Sequence, residues 1–306
     1  MHSWTLDDMP DLSGSTAVVT GANSGIGAVT ALVLARSGAR TVLACRDPER
    51  GRRAVDAVRR AAPGSDARLV RLDLADLSSV AEAAEAIAKE VDGRLDLLVN
   101  NAGVMALPHL RTADGFEMQF GTNHLGHFAL THRLLPVLGV LGPARVVTLS
   151  SLGHRIGRID LDAERAYSKW RAYGQSKLAN LLFTNELDRR ARAAGRNLVA
   201  LAAHPGLAAT ELGQAGPRLA GRNWAARLER ASRLYTQPAS AGALPVLYAA
   251  TLPDAPGGSY YGPARLGETR GAPAPARSSR RARDPLMARA LWDESARLTG
   301  LDADAV

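Results

Sequence analysis

Thr16-Ala17-Val18-Val19-Thr20-Gly21-Ala22-Asn23-Ser24-Gly25-Ile26-Gly27 is the stretch on which the fold turns. Its first five residues are small, apolar or β-branched and read as a buried strand. The Ala-, Val- and Leu-rich run at 27–37 reads as a helix closed by Gly38. Three glycines lie between them. Gly21 permits a tight turn, Gly25 lets the backbone approach a pyrophosphate, and Gly27 lets helix and strand pack closely. The start of the helix offers free N–H groups and the positive end of its dipole to phosphate oxygens. Gly21, Asn23, Ser24, Gly25, Ile26 and Gly27 are therefore expected to cradle a dinucleotide.

Working outward, strand-like runs at 40–44, 67–72, 95–100, 145–150 and 197–203 alternate with helix-like stretches at 48–62, 77–91, 116–138 and 173–194. Strict alternation predicts an α/β fold, a Rossmann-type doubly wound parallel sheet with helices on both faces. The pattern extends from about residue 12 to 261. Residues 210–234 look helical but are broken by Gly216-Pro217 and Gly221, and 239–250 reads as a helix. Residues 266–284 are rich in Gly, Pro, Ser and Arg, and an amphipathic helix with Leu291 and Trp292 follows at 286–298. The expectation is one domain over 12–265, with 266–306 as a surface excursion and a helix docked on that domain.

Hydrophobic residues at 46% and charged residues at 22% describe an ordinary globular chain of 306 residues. The net charge of +8 is mostly Arg spread over Ala-rich helices, with no nucleic-acid-binding motif beside it. No specific nucleic-acid partner is expected. The single Cys45 excludes an internal disulfide and a multi-cysteine zinc site. The N-terminal residues lack a signal-peptide pattern, and no run suits a membrane span, so a cytoplasmic protein is expected. His124, His127 and His132 share one helix without a converging carboxylate, so no metal is expected.

Tyr173-Gly174-Gln175-Ser176-Lys177 carries the chemistry. Positions i and i+4 share a helix face, so the phenol and the ammonium can enter one cleft. A nearby cation lowers a phenol's pKa and makes it a usable general acid or base. Tyr167 lacks this partner, because position 171 is Arg. The fifth strand ends Ser150-Ser151, and successive strand residues face opposite ways, so only one serine should face the cleft. The second strand ends Cys45-Arg46-Asp47. An acid there would bind a ribose 2′-hydroxyl, whereas Arg suits a 2′-phosphate.

The spacing G-x-x-x-G-x-G after Thr20, together with Tyr-x-x-x-Lys, resembles the short-chain dehydrogenase/reductase family over residues 20–210. Ala22-Asn23-Ser24-Gly25-Ile26-Gly27, Ala44-Cys45-Arg46-Asp47 and Asn123-His124-Leu125-Gly126-His127-Phe128 most resemble its retinol dehydrogenase and protochlorophyllide reductase branch. The resemblance implies Ser151, not Ser150, as the catalytic serine, and Asn123 as the holder of a proton-relay water beside Lys177. It implies that Asp73 and Leu74 contact adenine. Asn100, Ala102 and Gly103 would support and line the cofactor, and Lys177 and Tyr173 would reach its ribose. Pro205, Gly206, Leu207 and Thr210 would flank the nicotinamide, with 210–234 as a substrate lid. Cys45 falls where NAD-preferring members carry an acid. The implied function is NADP(H)-dependent hydride transfer between nicotinamide and a carbonyl or alcohol, with a fairly apolar ketone or aldehyde as substrate. A catalytically silent NADP(H)-sensing protein is the alternative. Family members also imply a possible homodimer or homotetramer.

Overall fold

The computed structural model describes residues 3–160, 167–207 and 237–306. Its centre is an eight-stranded sheet ordered β3-β2-β1-β4-β5-β6-β7-β8. The strands are β1 (Thr16–Thr20), β2 (Arg40–Cys45), β3 (Ala67–Arg71), β4 (Leu97–Asn100), β5 (Ala144–Leu149), β6 (Leu198–Ala203), β7 (Tyr260–Arg265) and β8 (Arg270–Pro275). The first seven run parallel and β8 pairs antiparallel to β7. The order turns at β1/β4, where doubly wound sheets open a crevice at the carboxyl ends of their strands.

Because β1 is central it is buried along its whole length, which explains its unbroken small and apolar composition. Val19 faces a core formed with α1 (Gly25–Arg36), α2 (Pro48–Ala61) and α7 (Ala239–Thr251). Val18 faces the opposite core, with α3 (Leu77–Glu90), α5 (Gly126–Leu134) and α6 (Lys169–Ala193). Local chemistry starts these helices where it does. Asp47 accepts from Glu49 and Arg50 N–H ahead of α2, and Asp76 accepts from Ser78 and Ser79 N–H ahead of α3.

Two elements differ from the sequence expectation. The helix expected over 116–138 is divided into α4 (Met118–Phe120), a π-turn at Gly121–Leu125, and α5. Hydrophobic period cannot reveal such a one-turn widening, which is common at functional sites. The excursion expected at 266–284 contains β8, so the boundary at 265/266 falls inside a β7–β8 hairpin. Apolar alternation is weak there because β8 is an edge strand rich in Pro and Gly.

The docked C-terminal helix is observed as α8 (Pro285–Thr299). Trp292 stacks on Phe183 at 5.8 Å and meets Phe128 edge-on at 4.9 Å. The Trp292 indole N–H donates to the Ala303 carbonyl. The expected lid at 210–234 and Thr210 lie outside the described residues. No helix among the described residues is long and apolar enough to cross a membrane.

Candidate active site

The glycine-rich turn is held from below by side chains on two strands. Gly21 and Gly25 have positive φ, at 65° and 55°. A Cβ on Gly27 would run into the Asn101 amide and the Gly21 carbonyl, which accounts for glycine at this close approach. Thr20 Oγ1 accepts from the Asn101 and Ala102 N–H groups, each at 2.9 Å. Asn101 Nδ2 returns a hydrogen bond to the Thr20 carbonyl at 2.7 Å. Ser24 precedes α1 without a side-chain capping bond, and the helix's first turn carries no acid. The turn, Ala102 and Gly103 thus meet at the β1/β4 switch point.

Asn100 is turned into the core, where its Nδ2 donates to Thr131 Oγ1 at 3.0 Å. It supports the site from beneath, and its neighbour Asn101 holds the turn. Nothing in the sequence singles out Asn101, which lies between Asn100 and Ala102, for this role. Ile26 and Leu74 are buried, and Asp73 accepts the Ala75 N–H through Oδ1.

At the end of β2 the Cys45 thiol is buried beside the N–H groups of Ala22 and Asn23, and burial pushes its pKa up to about 11. Asp47, the nearest carboxylate in sequence, is committed to capping α2, and the Arg50 amide holds it below the usual carboxylate range. Arg46 is exposed between them.

The π-turn carries Asn123 into the crevice. Its Oδ1 accepts from Val104 N–H at 2.7 Å, and its Nδ2 donates to the Val104 carbonyl and to Ser176 Oγ, both at 2.9 Å. The freed Asn123 carbonyl accepts from His127 Nδ1 at 3.0 Å, and His127 Nε2 meets Thr20 Oγ1 at 2.9 Å. Burial draws His127 down to about 4, so the ring is neutral and spans from this turn to the glycine loop. That role was not legible from spacing. Among the described residues no cluster of three or more potential metal ligands occurs.

Tyr173 and Lys177 lie one turn apart on α6 and both are buried, at 7% and 4% exposure. Lys177 Nζ sits 5.9 Å from the Tyr173 ring centroid and donates to the Leu149 carbonyl at 3.1 Å. A Cβ on Gly103 would lie 3.1 Å from Asn123 Oδ1 and 3.6 Å from Lys177 Nζ, so these groups converge. The two serines separate as alternation requires. Ser150 Oγ is buried and donates to the Lys177 carbonyl at 2.7 Å, whereas Ser151 Oγ lies on the cleft side beside Tyr173, both within 3.5 Å of where a Gly153 Cβ would stand. Tyr167 instead donates to the Leu107 carbonyl at 2.9 Å and stacks on His109 at 4.6 Å, tying the loop after β4 to the segment before α6. Pro205, Gly206 and Leu207 follow β6, with the Leu207 N–H bonded to the Thr269 carbonyl at 3.1 Å.

One electrostatic expectation needs correction. Lys177 is expected to lower the Tyr173 pKa, yet burial raises it above the usual phenol value, with only the nearby Ser151 hydroxyl pulling down. The ammonium lies over the ring, and burial draws Lys177 itself down to about 8. Tyr173 therefore rests protonated at neutral pH.

The same burial makes a stability prediction. At neutral pH the native fold carries a buried ammonium, at a cost of about 3 kcal/mol relative to the unfolded chain. The Leu149 carbonyl has a second donor in Asn180 Nδ2, so removing Lys177 leaves it satisfied. Lys177→Met is expected to stabilise the cofactor-free protein by about 1–3 kcal/mol. The gain should be largest below pH about 8 and vanish as the unfolded lysine loses its own proton, which thermal melts across pH would show.

A family model for short chain dehydrogenases matches residues 15–218. Human retinol dehydrogenase 13 is 44% identical over 308 residues, covering 96% of this chain and 87% of that protein. The crystal structure of an uncharacterised protein from Mycobacterium paratuberculosis is 45% identical, with a TM-score of 0.80 over 98% of this chain and 99% of that one. A short chain dehydrogenase/reductase from Burkholderia phymatum in complex with NAD is 29% identical, with a TM-score of 0.62 over 79% and 87%. The convergence of Ser151, Tyr173, Lys177 and Asn123 above a glycine-rich turn agrees with these likenesses, and the chain belongs to the short-chain dehydrogenase family, on its retinol dehydrogenase-like branch, an oxidoreductase family of alcohols and carbonyls.

Proposed function

We propose that this chain is an NADP(H)-dependent oxidoreductase acting on fairly apolar aldehydes, ketones or the corresponding alcohols. The observation that carries the reading is the shared cleft of Ser151, Tyr173 and Lys177, with Asn123 against Gly103. A cofactor fits the surroundings. Gly21 and Gly25 hold the turn at positive φ, and the start of α1, with no side-chain cap and no acid in its first turn, presents amides to phosphates. When bound, the nicotinamide supplies or accepts the hydride.

The chain's own residues do the rest. Ser151 Oγ holds the substrate oxygen beside Tyr173. Tyr173, protonated at rest, gives its proton to the oxygen in reduction. Lys177 holds the ribose, while Asn123 keeps the relay water through which the Tyr173 proton is replaced. Gly21, Asn23, Ser24, Gly25, Ile26 and Gly27 bind the pyrophosphate. Asp73 and Leu74 border the adenine, Ala102 and Gly103 line the cofactor, and Pro205, Gly206, Leu207 and Thr210 border the nicotinamide.

The NADP(H) preference is supported by what occupies the place of an NAD-selecting acid. Cys45 fills it, Asp47 is used as a cap, and Arg46 is exposed beside it. A groove between α1 and α2 adds Arg50 and Arg53 next to Asn23. Arg46→Ala is expected to weaken NADPH binding by about tenfold to a hundredfold, the worth of a charge-assisted hydrogen bond, with NADH binding unchanged. Titrations of both nucleotides by fluorescence check this.

The substrate class accords with the name of the human relative and with the exposed apolar Ile156 and Leu207 on the segments that follow Ser151 and β6. Coverage of α5 and α6 by α8 argues against a homodimer or homotetramer formed through those helices. A single buried Cys45 accords with a reducing compartment such as the cytoplasm. The reading is tested by following nicotinamide absorbance with NADPH and NADH over a panel of aldehydes and ketones, retinal included. NADPH consumption dependent on Tyr173 supports it. Tight NADPH binding with no turnover across the panel would favour the silent sensor.

A further inference from the structure

Beside the serine, one buried histidine has both ring nitrogens committed. His154 lies in the 3-10 turn Leu152–Ile156 and is fully buried. Its Nδ1–H donates to the Ser151 carbonyl at 2.6 Å, and its Nε2 accepts from the Ser279 N–H at 3.1 Å. A carbonyl only accepts and an amide N–H only donates, so both bonds require the neutral tautomer protonated at Nδ1. Burial favours that form, holding His154 below its usual pKa. The ring also meets Tyr260 edge-on at 5.6 Å.

Neighbouring contacts repeat the connection between the serine turn and the C-terminal segment. Arg155 pairs with Glu268 at 2.7 Å, and Glu268 also accepts from the Arg277 N–H at 3.0 Å. Arg281 donates to the Gly157 carbonyl at 3.2 Å. On the cleft side, Ser151 Oγ accepts from Gly153 N–H at 3.1 Å. Gly153 lies so close to Tyr173 that a Cβ there would meet its ring at 3.1 Å.

We infer that His154 is a positioning residue for Ser151. It ties the serine's backbone carbonyl to the C-terminal segment at Ser279, and so sets the reach of the Ser151 hydroxyl to the Tyr173 oxygen. The inference rests on the proposed roles of Ser151 and Tyr173. The physical reason is leverage. The hydroxyl is carried on one backbone unit, and a displacement of about 1 Å at a reacting group can cost up to a hundredfold in rate. The segment after β8, which contains no proposed catalytic group, thereby becomes part of what shapes the site.

Two substitutions of similar polarity separate the two bonds. In His154→Asn the amide reaches the position of Nδ1 and keeps the donor to Ser151. In His154→Gln the amide reaches the position of Nε2 and keeps only the Ser279 bond. His154→Gln is expected to lower kcat about tenfold to a hundredfold with the KM for NADPH unchanged. It should also move the alkaline limb of the pH profile upward, because the Ser151 hydroxyl beside Tyr173 is what draws its pKa down. His154→Asn should restore kcat and the limb to near the wild-type values. Equal losses in the two variants would overturn the inference, as would a His154→Gln enzyme with lower thermal stability but a wild-type kcat and pH limb.

Should the wild type prove inactive on every carbonyl tested, the proposed function fails and the inference is read spectroscopically. The Tyr173 phenolate, isolated as the ultraviolet difference between wild type and Tyr173→Phe, should titrate at higher pH in His154→Gln than in His154→Asn. Lys177 faces Tyr173 in both variants and is common to the comparison. Identical titrations would sink the inference.

Discussion

Tyr173→Phe is expected to lower kcat for carbonyl reduction by about a hundredfold to ten-thousandfold, with NADPH affinity essentially unchanged. The substitution removes one oxygen from a side chain that is otherwise packed, so the α6 face and the Gly153 contact persist. What is lost is the proton donor. Ser151 can still hold the substrate oxygen, but the group proposed to protonate the alkoxide is gone. Hydride transfer to a carbonyl then builds charge in a water-poor cleft, which a hydroxyl dipole alone stabilises poorly. The loss should appear in kcat rather than KM, the pattern of an interaction made mainly in the transition state. Steady-state kinetics of the two proteins on the best substrate checks this, together with NADPH binding by fluorescence. A variant with more than about a tenth of wild-type kcat would remove Tyr173 from the mechanism.

Trp292→Ala should cost about 3–5 kcal/mol of stability, the largest effect expected from any substitution outside the cleft. The indole is 2% exposed and sits between Phe128 of α5 and Phe183 of α6. Arg190 covers it at 5.0 Å, and the Ala303 carbonyl takes its N–H. Truncation opens a cavity and strips contacts from two aromatic rings, while the Ala303 carbonyl keeps the Arg190 guanidinium as a donor at 2.9 Å. Denaturant unfolding measures the cost directly. The same variant tests how α8 shapes assembly. With α8 loosened, the apolar faces of α5 and α6 become available, so Trp292→Ala should self-associate more than the wild type in sedimentation. A loss below about 1 kcal/mol would show that α8 is only loosely attached.

Some of this protein was legible residue by residue. The glycine turn after β1 could be read because its constraints are local: a strand, a turn that needs positive φ, and a helix start in one run of twelve residues. The Tyr173–Lys177 pair was legible for the same reason, since helix geometry alone places i and i+4 together. The choice of Ser151 over Ser150 came from likeness to the family; where each serine lies, Ser150 Oγ against the Lys177 carbonyl and Ser151 on the Tyr173 side, is a matter of tertiary structure. Other features had no local signal. Asn101 looks no different from Asn100 in sequence, yet only Asn101 reaches the turn. His127 and His154 read as ordinary buried histidines until their ring nitrogens are seen bonded to carbonyls and amides far away in the chain.

Alone, then, the sequence determined the alternating α/β layout and the glycine-rich turn, because each depends on short-range geometry, while the order of the site's polar residues and the reading of Cys45 as an acid's place came from likeness to the family. Tertiary structure decided the rest. It placed the π-turn that presents Asn123, joined β8 to the sheet, laid α8 over α5 and α6, and set the ionisation of Tyr173 and Lys177. These depend on burial and on contacts between distant segments. Lys177 illustrates the difference: its position on the helix follows from counting residues, but its drop to about 8 follows only from the protein packed around it.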